Sequence, residues 1–329
     1  MWFVYAAICL VSWGCADLFY KKSSDESDKY SHLRIAVWVG LVMGIVSLAL
    51  IPFAESGKEV LSFKNLASYS PASLCYIISM VIGYAGLRYM EVSIISPVQN
   101  ASGAFAAIIM AIYFMLSSDD PIGAIEDETG FTFGTQGGEA LAKNILIVFG
   151  VAAVCVGVVA LALVEQKLSD DEKNVTGADR KYRLGALALL FPILYCIFDT
   201  LGTAADGLIL DSESGLGLGE IDVAILYGMT FFAAGLICWL WLLIKEKRPY
   251  NPLRDIKTMG VAAVFEEAGQ IFYIYAMAAR PLFAAPMIAS YCIVSVILSR
   301  IFLKEKLKRS QYACVFMVIA GIVALGLCE

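Results

Sequence analysis

Apolar residues run in long uninterrupted stretches along the whole chain, and each stretch is close to the length that crosses a bilayer. A transmembrane helix needs about 20 consecutive, mainly apolar residues. The sequence contains ten such stretches, which we call spans 1 to 10, and they predict an all-α integral membrane protein with ten transmembrane helices. The spans cover residues 2–20, 33–53, 71–89, 94–116, 143–164, 184–205, 221–244, 258–279, 281–302 and 311–328.

The composition supports a membrane protein and argues against metal chemistry. Of the 329 residues 60% are hydrophobic and only 16% are charged, whereas about 25% are charged in a soluble domain. Span 1 has no basic start and no small-residue cleavage site, so we expect it to be retained rather than removed as a signal peptide. The nine cysteines lie in the spans without a CxxC pair, and His32 is the single histidine. We therefore predict no metal site and no cofactor.

Basic residues alternate between the loops, which predicts how the chain sits in the membrane. Of the 24 Lys and Arg residues, 20 lie in or beside odd-numbered loops and 4 in or beside even-numbered loops. Positively charged loops remain in the cytoplasm. The odd-numbered loops are therefore predicted to be cytoplasmic and both termini to be outside, in the cytoplasmic membrane of a bacterium.

The two halves of the chain resemble each other, which predicts an internal repeat. Span 5 ends in GVVALAL and span 10 in GIVALGL, while Tyr84 and Pro97 correspond to Tyr273 and Pro286 at a common offset. Residues 1–164 form the first repeat, with an inserted outer loop at 117–141. A hydrophilic linker at 165–183 leads to the second repeat at 184–329. Because five helices is an odd number, the second repeat must enter the membrane from the opposite side.

Two inverted five-helix repeats are typical of secondary transporters, in which one repeat moves against the other about a central site and gives alternating access. The sequence has no GxxxxGK[ST] motif for ATP and no plausible catalytic triad, so we predict neither an ATP-driven pump nor an enzyme. The predicted partners are a small-molecule substrate and the lipid bilayer, with no nucleic acid. The sequence does not set the oligomeric state.

An unusual group of polar residues interrupts span 4. On a helix Ser96, Gln99, Asn100 and Gly103 share one face, and Pro97 weakens the turn before it. Polar residues inside a membrane face the bundle interior or a wet cavity, which predicts a substrate cavity here. The alternative is that these residues hold helices together by hydrogen bonds. Pro97 and its counterpart Pro286 are predicted hinges.

Four acidic residues lie inside the spans and away from the loops, in a region where a charged carboxylate near the bilayer centre costs about 2.5–3.5 kcal/mol. Glu266 shares a helical face with Gln270 and Tyr273, so we predict that this face lines the cavity. Such a carboxylate can exchange protons or pair with a substrate amine, although a purely structural acid is the alternative. Glu267 is predicted to be a packing residue. Asp199 and Asp17 are further coupling candidates, and an ion pair with Lys21 or Lys22 is the other explanation for Asp17.

The remaining predicted cavity residues are aromatic, and each is also explained by packing. They are Trp13, Tyr84 and Tyr195. No cluster of Lys or Arg occurs within the spans, which favours a cationic, amine-bearing or zwitterionic substrate over an anionic one.

The second half resembles the EamA domain of the drug/metabolite transporter superfamily. The resemblance rests on ARPLFAAPMIASYCIVSVILSRIFLKEKLKRSQYACVFMVIAGIVALGL, in which a proline follows a tight turn, Glu305 lies in a short basic loop and Gly321 lies in the last helix. The first half is similar through Ser93, Pro97 and Gly103. The resemblance implies a ten-helix carrier of small metabolites.

The function predicted from the sequence is therefore secondary transport of a small amine-bearing or zwitterionic metabolite, such as an amino acid, with proton coupling through Glu266 as a further possibility. The alternative is a membrane scaffold or sensor that does not transport and that binds a partner through the outer loop 117–141.

Overall fold

The structure is a computed structural model of the full chain, and it is helical throughout the residues that it describes. Those residues are 1–23, 28–86, 99–129, 131, 137–176, 190–211, 215–246, 250–302 and 309–327. The helices are α1 (Trp2–Ser23), α2 (Ser31–Leu50), α3 (Phe63–Gly86), α4 (Ser102–Ser117), α5 (Pro121–Thr129), α6 (Gly138–Thr176), α7 (Leu190–Ile209), α8 (Glu220–Glu246), α9 (Val261–Ala279), α10 (Pro281–Ala289), α11 (Cys292–Phe302) and α12 (Arg309–Gly326).

Six helices in the described part of the chain are long and apolar enough to cross a membrane. These are α1, α2, α3, α6, α7 and α8, and three shorter apolar helices lie at Ser102–Ser117, Pro281–Ser295 and Tyr312–Leu325. Each of the ten predicted spans corresponds to one of these segments or to α9. The chain is therefore a helical integral membrane protein, and the exact number of crossings stays a prediction.

The principal helix pairs each join one helix from the first half of the chain to one from the second half. Helix α1 packs along α9, α2 along α8, α3 along α7 and α6 along α12, while α4 packs against α10. Contacts along α3 and α7 show that this pair is antiparallel, since Tyr69 contacts Asp206 and Gly83 lies beside Tyr195. The core is thus built mainly between the halves rather than within each half.

Glycines allow the closest helix pairs to touch through their backbones. In the α2–α8 pair Gly40 faces Gly235, and a Cβ on Gly40 would collide with the backbones of Phe231 and Gly235. In the α6–α12 pair Gly321 lies against the backbone oxygen of Gly150. Small residues promote such close approach between helices in a membrane.

Replacing Gly40 by Leu is expected to force α2 and α8 apart and to lower the free energy of unfolding by at least about 1–3 kcal/mol, the usual cost of overpacking. A lower Tm of the purified protein in detergent would report the change. Ile45→Leu is the matched control, because Ile45 lies on the same helix and is 57% exposed. Equal Tm values for both variants would contradict the close packing described above.

Span 9, predicted as one continuous helix, is divided into α10 and α11 by a turn at Ser290 and Tyr291. Pro286 lies inside α10, and the interruption follows four residues later. There the Ser290 hydroxyl donates to the backbone oxygen of Met287 at 2.5 Å, and the Tyr291 N–H bonds Ile288 at 2.9 Å. Both bonds join residues three positions apart rather than the four of an α-helix. They therefore tighten the chain into a turn and interrupt the helix.

A turn at Ala101 precedes α4 in the same way, and Ala101 and Ser290 are separated by the offset that relates Pro97 to Pro286. Ser96 and Pro97, a predicted cavity residue and a predicted hinge, lie outside the described residues. The two interruptions therefore occur at equivalent positions of the predicted repeats.

Several helices extend beyond the predicted spans, among them α6 and α7. Helix α6 has 39 residues, about 58 Å at 1.5 Å per residue, and so it continues through the first part of the segment 165–183 predicted to be a linker. Helix α7 ends at Ile209, whereas span 6 was expected to end at residue 205. Asp206, which the sequence places in a loop, is therefore a helical residue, and its side chain is completely buried.

The inserted loop 117–141 contains α5, a short helix that contacts the body of the protein. Arg280, between α9 and α10, donates a hydrogen bond from Nη1 to the backbone oxygen of Asp127. Positive charge is favoured at the carboxyl end of a helix. The loop is thus anchored to the second half of the chain at this point.

Candidate functional site

A single cavity gathers most of the polar residues that the sequence places inside the membrane. Its volume is about 100 Å³, and one water needs about 10–15 Å³ of such space. The cavity therefore has room for a cluster of waters or for a small organic molecule. Its walls come from α1, α3, α4, α7, α8, α9 and α10, together with Gln99, Asn100 and Tyr291.

Three carboxylates face the cavity, namely Asp17 on α1, Asp199 on α7 and Glu266 on α9. Asp17 accepts a hydrogen bond from Ser295 Oγ at 2.9 Å, and Asp199 accepts one from Ser102 Oγ at 2.6 Å. The charges of Asp17, Glu267 and Asp199 are all close enough to act on Glu266. No Lys, Arg or His occurs among the described lining residues, so the cavity is acidic.

Trp13 forms the centre of the aromatic wall. Its ring stacks on Tyr273 with centroids 5.4 Å apart, and Tyr291 meets it edge-on at 5.8 Å. The indole N–H donates to the backbone oxygen of Glu266 at 3.2 Å. A Cβ on Gly269 would overlap the indole ring, so glycine at this position makes room for it. Aromatic faces of this kind attract cations.

A layer of hydroxyl groups closes one side of the cavity. Tyr76 and Tyr273 share a hydrogen bond of 2.6 Å between their hydroxyl oxygens, and Tyr76 also donates to Thr203 Oγ1 at 3.1 Å. All three residues line the cavity. We call them the hydroxyl layer.

The side-chain nitrogen of one amide in the cavity wall has no hydrogen-bond partner among the described residues. Gln270 is only 4% exposed, and its side-chain nitrogen makes no hydrogen bond in the described structure. A buried donor without a partner costs about 1–3 kcal/mol. The Gln270 amide is therefore available to a bound molecule, and Gln99 and Asn100 also line the cavity.

The polar contacts around the cavity join the two halves of the chain. Four hydrogen bonds each join a residue before position 165 to a residue after position 183. They link Ser102 to Asp199, Asp17 to Ser295, Tyr76 to Thr203 and Trp13 to Glu266. A movement of one half against the other would therefore break these contacts and reshape the cavity.

The structure brings together the predicted site residues that it describes. The cavity is lined by Trp13, Asp17, Tyr84, Gln99, Asn100, Tyr195, Asp199, Glu266, Gln270 and Tyr273. Glu267 points elsewhere and is 7% exposed, in the position expected of a packing residue. The predicted hinge Pro286 is buried but does not line the cavity. The roles of these residues in binding or coupling stay predictions.

Several lining residues were missed by the sequence reasoning, above all Tyr20, Tyr76, Tyr227 and Tyr291. Tyrosine is common at membrane interfaces, so its presence in a span does not mark a cavity. Tyr76 offered one usable signal, because it is followed at helical spacing by Gly83 and Tyr84 on the same helix.

Comparison with known proteins agrees with the predicted family. Residues 214–327 match the EamA-like transporter family, and a search of curated protein sequences finds no match. One solved crystal structure has a similar fold, with a TM-score of 0.63 at 11% sequence identity over 98% of this chain and 96% of the other. The predicted resemblance to the EamA domain is thus confirmed in the second half of the chain, where the match to the EamA-like transporter family lies.

Proposed function

We propose that the protein is a secondary transporter of a small amine-bearing or zwitterionic metabolite and that it works by alternating access. The observation that carries this proposal is the acidic, aromatic cavity between the halves of the chain. Asp199 and Glu266 face it, and the described lining residues include no cationic side chain. A buried negative charge is stable only when it is protonated or paired, and a substrate ammonium group provides such a pair.

The shape of the cavity supports a compact substrate. Its volume of about 100 Å³ suits a molecule of amino acid size rather than a large drug or a nucleotide. The Glu266 carboxylate and the faces of Trp13 and Tyr273 would bind the ammonium group. The Gln270 amide would then donate to an oxygen of the substrate, which favours an amino acid or a related zwitterion over a simple amine.

The proposal extends to the architecture, as ten membrane helices in two inverted repeats. The pairing of helices across the two halves supports it. In the predicted repeats α1 is equivalent to α7 and α3 to α9, so exchanging the halves converts the α1–α9 pair into the α7–α3 pair. The equivalent interruptions at Ala101 and Ser290 also support it, since transporters build their sites at discontinuous helices. The proposal also includes the cytoplasmic location of the odd-numbered loops and proton coupling through Glu266.

Binding of the proposed substrates is expected to raise the thermal stability of the purified protein. A ligand at 100 times its Kd adds about 2.7 kcal/mol to the free energy of unfolding, which is a readable shift in Tm. The panel contains amines, amino acids, sugars, nucleosides and phosphorylated compounds. Stabilisation by amines or amino acids supports the proposal, whereas stabilisation by phosphorylated compounds alone would overturn the substrate class.

A further inference from the structure

Asp206 is a buried carboxylate that the cavity does not use. Its side chain is completely buried on α7, and neither Asp206 nor Tyr69 is among the lining residues. Tyr69 on α3 donates a hydrogen bond to Asp206 Oδ1 at 2.9 Å, and Tyr69 is itself fully buried. The second oxygen, Oδ2, is buried without a hydrogen-bond partner in the described structure.

The groups that face this carboxyl are all neutral or acidic. They are Tyr69 and Tyr76 on α3, Tyr227 on α8, Tyr273 on α9 and, on its own helix, Asp199. Tyr76 faces Asp206, but its hydroxyl already bonds Thr203 and Tyr273. The adjacent Gly207 lies beside Met110 on α4 and Pro281 on α10, which are both uncharged. No cationic side chain is therefore present in the described surroundings to balance a charge on Asp206.

A proton is the counter-charge that fits this site. A carboxylate buried as an unpaired ion costs several kcal/mol, so Asp206 must be neutralised in this conformation. A metal cation requires several oxygen ligands and space, whereas Asp206 meets a hydrogen-bond donor on Oδ1 and close packing on Oδ2. The hydroxyl layer of Tyr76, Thr203 and Tyr273 separates it from the cavity.

Asp206 also lies at a junction between the halves. The bond to Tyr69 joins α7 to α3, as does the bond between Tyr76 and Thr203 one turn away. Opening the bundle at this end requires α3 and α7 to separate, which would break both bonds and admit water to Asp206.

We propose that Asp206 is a proton-binding site that controls opening of the bundle between α3 and α7. Bound to a proton, Asp206 holds this end closed against Tyr69. Release of the proton to water leaves a carboxylate that is stable only when hydrated, and the open conformation is favoured. High pH at this end therefore favours opening and low pH favours closure. Coupling of this proton to transport rests on the proposed transport function, whereas the proton site itself does not.

Labelling of a buried position beside Asp206 tests the inference without any substrate. Leu210 lies one turn after Asp206 and is 8% exposed, whereas Leu216 is 50% exposed. In proteoliposomes, a membrane-impermeant maleimide is used to label Leu210→Cys and, separately, Leu216→Cys. The measured quantity is the ratio of the labelling rate of Leu210→Cys to that of Leu216→Cys, because this ratio cancels the reactivity of the thiol itself. The ratio is expected to rise with pH, by at most about tenfold per pH unit, because one proton is released.

Two variants separate Asp206 from other titrating groups. With Asp206→Asn added, the ratio should stay low at every pH, because the amide is neutral and still accepts from Tyr69. With Tyr69→Phe, the ratio should be higher than in the wild type at every pH and should still rise with pH.

An equal rise of the ratio with pH in the wild type and in Asp206→Asn would overturn the inference, as would a ratio that does not change with pH in the wild type. If the ratio changed with sodium concentration at constant pH, the cation bound at Asp206 would be a metal ion and not a proton, which would also overturn the inference. Failure to bind any substrate would count against the transport function and leave this result intact.

Discussion

Replacing Glu266 by Gln is expected to lower the affinity for an amine or amino acid by about 30-fold or more and to remove the part of the pH dependence of transport that Glu266 contributes, while the part due to Asp206 remains. Glu266 faces the cavity together with Asp17 and Asp199. Truncating one partner of a buried charge pair costs about 2–5 kcal/mol, and each 1.4 kcal/mol is a factor of ten in Kd. The Gln side chain keeps the shape of Glu but neither binds a proton reversibly nor attracts an ammonium group.

Two measurements on reconstituted protein check this prediction. Ligand-induced shifts in Tm give the affinity, and uptake into proteoliposomes over a range of pH gives the coupling. Glu267→Gln is the matched control, because Glu267 is the next residue on α9, is 7% exposed and does not line the cavity. Normal uptake by Glu266→Gln with the pH profile of the wild type would show that Glu266 neither binds substrate nor couples protons.

The face of α9 was predictable because helical periodicity holds well inside a membrane. Glu266, Gln270 and Tyr273 follow one another at helical spacing, and the structure places all three at the cavity. The same periodicity turns Glu267 away from it. Sequence reasoning works here because an acid in an apolar span already marks the helix as unusual.

Asp206 shows where the same reasoning stops. An acidic residue near the end of an apolar stretch is normally read as the start of a loop, and Asp206 directly follows the predicted end of span 6. Helix α7 continues because Tyr69, 137 positions away, donates to Asp206 within the bundle. A single helix does not reveal its partner, so the buried pair becomes visible only once α3 and α7 are packed together.

The interruption in span 9 was not predicted from the sequence, which indicated one continuous helix with a hinge at Pro286. Pro286 predicted flexibility, because proline cannot donate to the preceding turn. The turn itself lies at Ser290 and Tyr291, where the Ser290 hydroxyl binds the backbone of Met287. Side-chain to backbone bonds of serine compete with helical bonds, and their outcome depends on local geometry that the sequence pattern does not carry.

Replacing Trp13 by Ala is expected to weaken binding of a cationic substrate by about 30-fold, the equivalent of the roughly 2 kcal/mol of a desolvated cation–π contact. The variant also removes the stacking on Tyr273 and the hydrogen bond from the indole N–H to the backbone oxygen of Glu266. We therefore expect a lower Tm even without ligand, since Trp→Ala changes in packed sites cost about 3–5 kcal/mol.

Trp13→Phe separates the two contributions, because it keeps an aromatic face and loses the indole N–H. Its affinity for cations should fall by less than that of Trp13→Ala, while the position of Glu266 is loosened in both. Trp241→Ala serves as the control, since Trp241 is 49% exposed on α8 and lies away from the cavity. If Trp13→Ala binds amines as tightly as Trp241→Ala does, the aromatic wall contributes to folding alone, and the carboxylates must account for recognition of the cation. If Trp13→Phe binds nearly as well as the wild type, the aromatic face itself recognises the cation, and the acidic residues have a partner in the same wall of the cavity.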